Sequence, residues 1–205
     1  MDVHHQQDNI EARIVEAAEQ LFVEKGFEET SMSDIAAEAG INRTALHYYF
    51  RTKDKMFQAV FGDIIQEFLP RMQVIFLEDK PLMEKINRVI DTYFEIFREN
   101  PSLPKFILSE IQRDVDHLLA VGRKQHIDQY LRAIEAVLLA EMQAGKIKQV
   151  PMQFILVTFF SQLTFPFLAK NLIISLFYET DEEYQAFLTE WKQVILKHME
   201  NLLIP

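Results

Sequence analysis

The 205-residue chain contains no cysteine. That excludes a disulfide framework, a thiol nucleophile and a zinc-thiolate site, and suits a reducing compartment. Glycine and proline are scarce, at five and seven, too few turn-formers for the many short strands of a sandwich or barrel. Positive charge is also short: 21 Lys and Arg stand against 31 Asp and Glu, for a net charge of −10. Over the whole chain, that balance argues against nucleic acid, because phosphates are neutralised by Lys and Arg. The opening residues, Met1-Asp2-Val3-His4-His5, lack a basic stretch leading into an apolar one, so no secretory signal is visible and a cytoplasmic location is expected. A clean membrane-spanning run is missing too. Phe154 to Phe177 approaches the length, but Gln162, Pro166, Lys170 and Asn171 interrupt it. A lysine deep in a span is costly, so the segment reads as buried helix, without a membrane partner. What the chain does have is 49% hydrophobic residues, 17 of its residues being Phe, a composition that suits a globular all-α protein.

Helical spacing runs through most of the sequence. Ile10, Ile14, Ala17, Ala18, Leu21 and Phe22 form one apolar stripe, and Gly26 ends that helix as a left-handed cap. Ser31, three residues before Asp34, starts a short second helix with a capping box, and Gly40 closes it. A third short helix extends to about Phe50, and Thr52 caps a fourth that runs toward Pro70, where a kink or an end is expected. Pro81 opens a fifth helix carrying Ile86, Ile90, Tyr93, Phe94 and Phe97, which Asn100-Pro101 stops. A short helix after Pro104, a longer one from about Asp116 to Gly145, the Phe-rich segment after Pro151 and a helix capped by Thr180 and Glu183 complete about nine.

The second and third helices are too short to stand alone, so they must pack on each other and on the first. Their spacing is that of a helix-turn-helix: small Ala36 where the helices cross, Gly40 where positive φ is needed, and Leu46 as apolar anchor. Ile35, Ala39, Ile41, Leu46 and Phe50 then face inward, leaving Arg43, Thr44, His47 and Tyr48 outside. Arg43 and Thr44, in the first turn of the third helix, suit base edges in the major groove. His47, Tyr48 and Tyr49 offer polar tips for phosphate or thymine methyl contact, with Tyr49 divided between that role and the core. Lys53 at the head of the fourth helix and Ser31 and Ser33 at the second are further phosphate candidates. Charge supports this element. Residues 41–57 carry four Lys and Arg against one Asp, whereas residues 1–40 carry two against ten acids, so the acidic total conceals a short basic strip.

From Ile14 to Val60 the order Ala17-Ala18, Leu21-Phe22, Gly26-Phe27, Ile35-Ala36, Gly40-Ile41, Leu46-His47-Tyr48-Tyr49-Phe50 and Lys53-Asp54-Lys55-Met56-Phe57 closely resembles the tetracycline-repressor (TetR) family of bacterial transcription regulators. The resemblance covers about the first 60 residues. It implies a DNA-binding domain over 1–52 and a larger helical effector-binding and dimerisation domain over 53–205, the fourth helix being shared. By position it assigns DNA contact to Arg43, Thr44, His47, Tyr48 and Lys53. Thr44 stands where the family commonly has Gly, and His47 where it has Tyr, departures that bear on the operator sequence and the exact contacts. The implied function is repression from a palindromic double-stranded operator, relieved by a small apolar effector.

In the second domain, Phe76, Phe94, Phe97, Phe106, Phe159 and Phe165, with Tyr93 and Gln162 as polar orienters, are candidates to line a pocket. The Phe-rich segment and the Trp191 helix fit a homodimer interface, with Phe154, Phe167, Trp191 and Ile195 as its candidates. Two recognition helices related by a two-fold axis would read half-sites about 34–36 Å apart. An enzyme is not expected. There is no phosphate-cradling glycine loop, nucleophile elbow or His-Glu-x-x-His pair, and His117 and His126 are not at metal-ligand spacing. No metal or cofactor is implied, and Glu110 and Asp114 read as a solvated helix face. The competing reading is a helical protein-interaction module whose head no longer binds DNA.

Overall fold

The computed structural model describes residues 3–205, with side chains from residue 9 onward except that of Glu67. The described residues are all-α and form ten helices: α1 Val3–Lys25, α2 Met32–Glu38, α3 Arg43–Tyr49, α4 Lys53–Leu77, α5 Leu82–Glu99, α6 Leu103–Lys124, α7 Ile127–Gln143, α8 Met152–Leu168, α9 Lys170–Phe177 and α10 Asp181–Leu203. The tenth arises at a boundary with no proline or glycine of its own: α8 and α9 separate at Ala169 and bend by 69°. No single described helix is long and apolar enough to cross a membrane.

The chain divides into two compact units that are discontinuous in sequence, Met1–Leu69 with Lys105–Ile127, and Pro70–Pro104 with Asp128–Pro205. By compactness the division falls within helices. It passes through α4, α6 and the start of α7, because both units draw helices from the middle of the chain.

In the first unit, α1, α2 and α3 close over Ile14, Ala18, Phe22, Ile35, Ala36 and Leu46, all buried. The capping box forms as the sequence requires: the Ser31 hydroxyl accepts from Asp34 N at 3.1 Å while Asp34 Oδ2 accepts from Ser31 N at 2.9 Å. α3 starts on a cap that spacing alone did not reveal, Asn42 Oδ1 accepting from Ala45 N at 2.8 Å. Gly26 and Gly40 take φ of 86° and 65°, where a side chain would be strained. Buried Thr30 places its hydroxyl 3.1 and 2.8 Å from the carbonyls of Leu21 and Gly26, which closes the end of α1.

Of the kink or end expected at Pro70 the end does not occur, and two further boundaries differ from the sequence reading. Pro70 lies inside α4 and does not end it; the lost hydrogen bond is outweighed beyond it by Met72 and Ile75, each buried. α6 is two helical pieces joined at Asp114 (φ −160°, ψ 84°), whose Oδ1 accepts from His117 N at 2.9 Å as an N-cap. The start expected near Asp116 is thus displaced by two residues. The long helix expected to continue to Gly145 is instead broken at His126, a left-handed residue with φ 62°.

In the second unit α5, α7, α8 and α10 are held by apolar side chains and a few buried polar bonds. Tyr184 Oη donates to Pro166 O at 3.0 Å, and burial pushes its pKa up to about 12. Trp191 Nε1 donates to Gln162 O at 3.0 Å, while Gln162 Oε1 lies 2.5 Å from His198 Nδ1.

Candidate nucleic-acid interface and effector cavity

α3 divides cleanly into an inner and an outer face. Leu46 and Phe50 are buried, with Leu46 fully so, and Arg43, Thr44, His47 and Tyr48 are exposed. Tyr48 is 73% exposed and stacks edge-on against half-buried Tyr49, ring centroids 5.3 Å apart. A large aromatic held out in solvent on a seven-residue helix has its other surroundings to serve, not the core. On α2 Ser33 is exposed; Ser31 is exposed too, but its hydroxyl is engaged by Asp34 at 2.6 Å. That hydrogen bond holds the Asp34 carboxyl below its ordinary pKa, leaving a negative charge at the start of α2.

Lys53 is turned differently from its expected role. Its ammonium donates to Phe27 O at 2.8 Å and to Glu28 O at 3.3 Å and sits 4.3 Å from the Phe27 ring centroid. It fastens the α1–α2 loop to the start of α4. The cations at this edge that point to solvent are Arg51 and Lys55, both exposed; their signal in the sequence was the excess of basic charge over residues 41–57.

Behind Phe27 the same unit holds an ionic cluster. Glu110, 1% exposed, accepts from Arg113 Nε at 2.8 Å and Nη2 at 2.5 Å; Arg113 also lies 4.1 Å from the Phe27 ring, and its Nη1 is 3.8 Å from Glu28. Burial works against the Arg113 charge, but Glu110 and the other carboxylates more than offset it and raise its pKa. Glu110 is therefore not on a solvated face, and Asp114 is a helix cap. Spacing could not separate the two, because both lie on an amphipathic helix. His117 packs on Phe57 at 5.0 Å and on Phe27 at 6.5 Å, its Nε2 buried without a hydrogen-bond partner.

The second unit contains an apolar cavity of about 70 Å³, partly open to solvent. α5 contributes Leu82, Ile86, Val89 and Tyr93 at helical spacing, α4 contributes Met72 and Phe76, α7 contributes Tyr130, Leu131, Ile134 and Leu138, α8 Ile155, Leu156, Phe159 and Phe160, and α10 Met199 and Leu203. Hydroxyl groups enter the lining only through Tyr93 and Tyr130, both raised above the ordinary phenol pKa by burial. The walls thus suit a long or bulky apolar group with few polar atoms.

Of the expected pocket residues, Phe76, Tyr93 and Phe159 line this cavity. Phe94 and Phe97 do not; they are buried against Phe167 at 5.3 and 5.1 Å between centroids. Phe106 belongs to the other unit, packed on Phe57 at 5.8 Å. Gln162 is spent on bonds joining α8 to α10, and Phe165 is 61% exposed. Among the dimer candidates, Phe154 is 59% exposed and Trp191 half-buried, but Phe167 packs inside its own chain and Ile195 is fully buried. Helical spacing identifies apolar residues but not which of several apolar faces each one joins. The exposed face of α8 and α9 is instead made by Phe154, Val157, Phe165, Leu172, Leu176 and Phe177. No group of acidic or histidine side chains among the described residues could hold a metal.

Residues 14–60 match the family model described as bacterial regulatory proteins, tetR family. The fatty acid metabolism regulator protein of Bacillus subtilis is 25% identical over 138 residues, 67% of this chain and 70% of that protein. Among solved structures, a TetR family transcription regulator from Marinobacter aquaeolei superimposes with a TM-score of 0.69 at 21% identity, over 93% of this chain and 97% of the other. The transcriptional regulator FadR from Bacillus subtilis in complex with stearoyl-CoA gives 0.70 at 20% identity, over 92% and 96%. At these identities the structural likeness establishes the fold.

Proposed function

Because the chain belongs to the tetR family of bacterial regulatory proteins, we propose that it is a cytoplasmic homodimeric repressor of transcription, released from a palindromic operator by a compound with a long apolar chain. The observation that carries the DNA half is the outward set of α3: Arg43, Thr44, His47 and Tyr48 are exposed together on a helix whose opposite side is seated by Leu46. Arg43 in the first turn reads a guanine through two hydrogen bonds, and Thr44 offers a methyl and a hydroxyl to neighbouring bases. Arg51 and Lys55 supply phosphate contacts.

The effector half rests on the cavity. Its almost wholly apolar lining selects hydrocarbon, and a fatty acyl chain is the class that the names of the Bacillus subtilis relatives suggest. The cavity contacts α4 at Met72 and Phe76, and α4 begins at Lys53 beside the recognition helix. Displacement of those two side chains by a ligand is carried along one continuous helix to the head. The shift in operator affinity is limited by the ligand's differential affinity for the two states.

The many large apolar side chains exposed along α8 and α9 support a two-fold dimer that would cover them. Selection of bound DNA from a random pool is the test. A palindrome is the expected product; recovery of no preferred sequence, with protein partners captured instead, would favour the interaction-module alternative.

A further inference from the structure

Resting on the reading that an acyl chain fills the cavity, we infer that the α4–α5 junction beside it seats the anionic head group of that ligand, a carboxylate or a phosphate, in the place now taken by the Glu78 carboxylate. Phe76, at the end of α4, and Leu82 and Val89, on α5, line the cavity. Lys85 lies three residues after Leu82 and four before Val89, hence on the same side of the helix. It is 8% exposed, and its ammonium donates to Phe76 O at 3.0 Å. A buried ammonium is costly unless it is compensated by acceptors or negative charge.

Lys85 is compensated by the Phe76 carbonyl, Lys80 hydrogen-bonds Glu84, and Arg88 pairs with Glu78. Arg88 hydrogen-bonds Glu78 Oε2, and Lys80 Nζ lies 4.0 Å from that same oxygen. The Arg88 hydrogen bond first, with the charges of Arg88, Lys80 and Lys85 adding to it, holds the Glu78 carboxyl below its ordinary pKa. Arg88 by direct contact, and Lys80 and Lys85 by charge at longer range, thus favour an anion at the Glu78 position, close in sequence to Phe76 and Leu82 of the apolar chamber, which is the division of labour an amphiphile requires.

Glu78 is a replaceable occupant. Its side chain is 27% exposed and that of Arg88 is 39%, so an anion arriving from solvent can reach the pair. It follows the last residue of α4, an end where negative charge is disfavoured. Glu84 already hydrogen-bonds Lys80, and Asp79 adds a further carboxylate between Glu78 and Lys80 in sequence. A head group therefore exchanges with Glu78; adding to it would leave excess negative charge. Glu78 then swings to solvent, and the end of α4 loses its tie to Arg88, which couples occupancy of the seat to the helix that enters the head.

Calorimetric titration of the full chain with oleate, oleoyl-CoA and oleyl alcohol tests this, using Glu78→Gln and Arg88→Gln, each checked by thermal melting. Oleyl alcohol, with the same chain and no charge, is expected to bind all three proteins alike. Arg88→Gln is expected to weaken an anionic ligand about tenfold, the cost of one charge-assisted bond, and Glu78→Gln to tighten it several-fold. Whether oleate or oleoyl-CoA shows that response identifies the carboxylate or the phosphate as the head. If all three compounds bind and ignore both substitutions, the head-group seat is wrong while the acyl cavity stands; if none binds, both fall. Lys85→Met, which removes the buried charge, is expected to act in the same direction as Arg88→Gln, and an unchanged oleate affinity in that variant, if folded, also counts against the seat.

Discussion

The ammonium of Lys53 lies over the ring of Phe27 at 4.3 Å and donates to that residue's own carbonyl at 2.8 Å. One side chain at the start of α4 thus holds both the ring and the backbone of the loop between α1 and α2. Arg113 approaches the same ring at 4.1 Å, so Phe27 is the point where the loop, α4 and α6 meet within the first unit. Lys53→Met is therefore expected to lower the stability of the head by about 1–2 kcal/mol, through one lost charge-assisted hydrogen bond and one cation–π contact. Thermal unfolding measures it. A normal melting curve with a salt slope reduced by one would instead return Lys53 to the phosphate backbone.

On the proposed reading, phosphate neutralisation falls on Arg51 and Lys55, both exposed. Replacing either with Gln should weaken operator and non-operator DNA about equally and reduce the slope of log affinity against log salt by about one. Binding isotherms at a series of salt concentrations decide this. A loss confined to one operator base would contradict it.

Arg43→Ala is expected to cost about 1–3 kcal/mol on the preferred operator and to relax the preference at one base pair in each half-site. Competition between operator variants reads that position directly. Uniform weakening on every sequence would make Arg43 a backbone contact.

Ile86 projects into the cavity from α5. Ile86→Trp should fill the space, leave DNA binding intact and abolish release by acyl compounds, at a stability cost of about 1–3 kcal/mol from overpacking. A gel shift with and without the acyl compound shows the separation; continued release would move the effector elsewhere.

The capping box at α2 makes the head acid-sensitive. The Asp34 carboxyl is lowered from its ordinary value by its hydrogen bonds to Ser31. Its stabilisation is therefore complete above the ordinary carboxylate pKa and is lost as pH falls through the lowered one. Asp34→Asn should remove that part of the acid dependence, whereas Ser31→Ala should cost about 1 kcal/mol near neutral pH. Unfolding followed between neutrality and pH 3 distinguishes them; identical acid profiles for Asp34→Asn and the natural protein would remove the carboxyl from the account.

Much of the head was determined by residue order alone. Caps, glycines and small residues act over three or four positions, so Ser31 with Asp34, Gly26, Gly40 and the Leu46 anchor specify α1 to α3 locally, and the outward set on α3 follows from helical periodicity. The acidic total, by contrast, mattered less than the placement of four cations over residues 41–57. Tertiary structure decided everything that depends on which of several apolar faces meets which. It put Phe94 and Phe97 into solid core against half-buried Phe167, turned Phe165 outward, brought Leu138 and Val89 to one cavity and buried Glu110 with Arg113. It also tied the Lys53 ammonium to the Phe27 carbonyl. Hydrophobic attraction is non-directional, and a long side chain has several polar partners within reach, so periodicity can say that a residue is apolar or charged but only packing selects its neighbour.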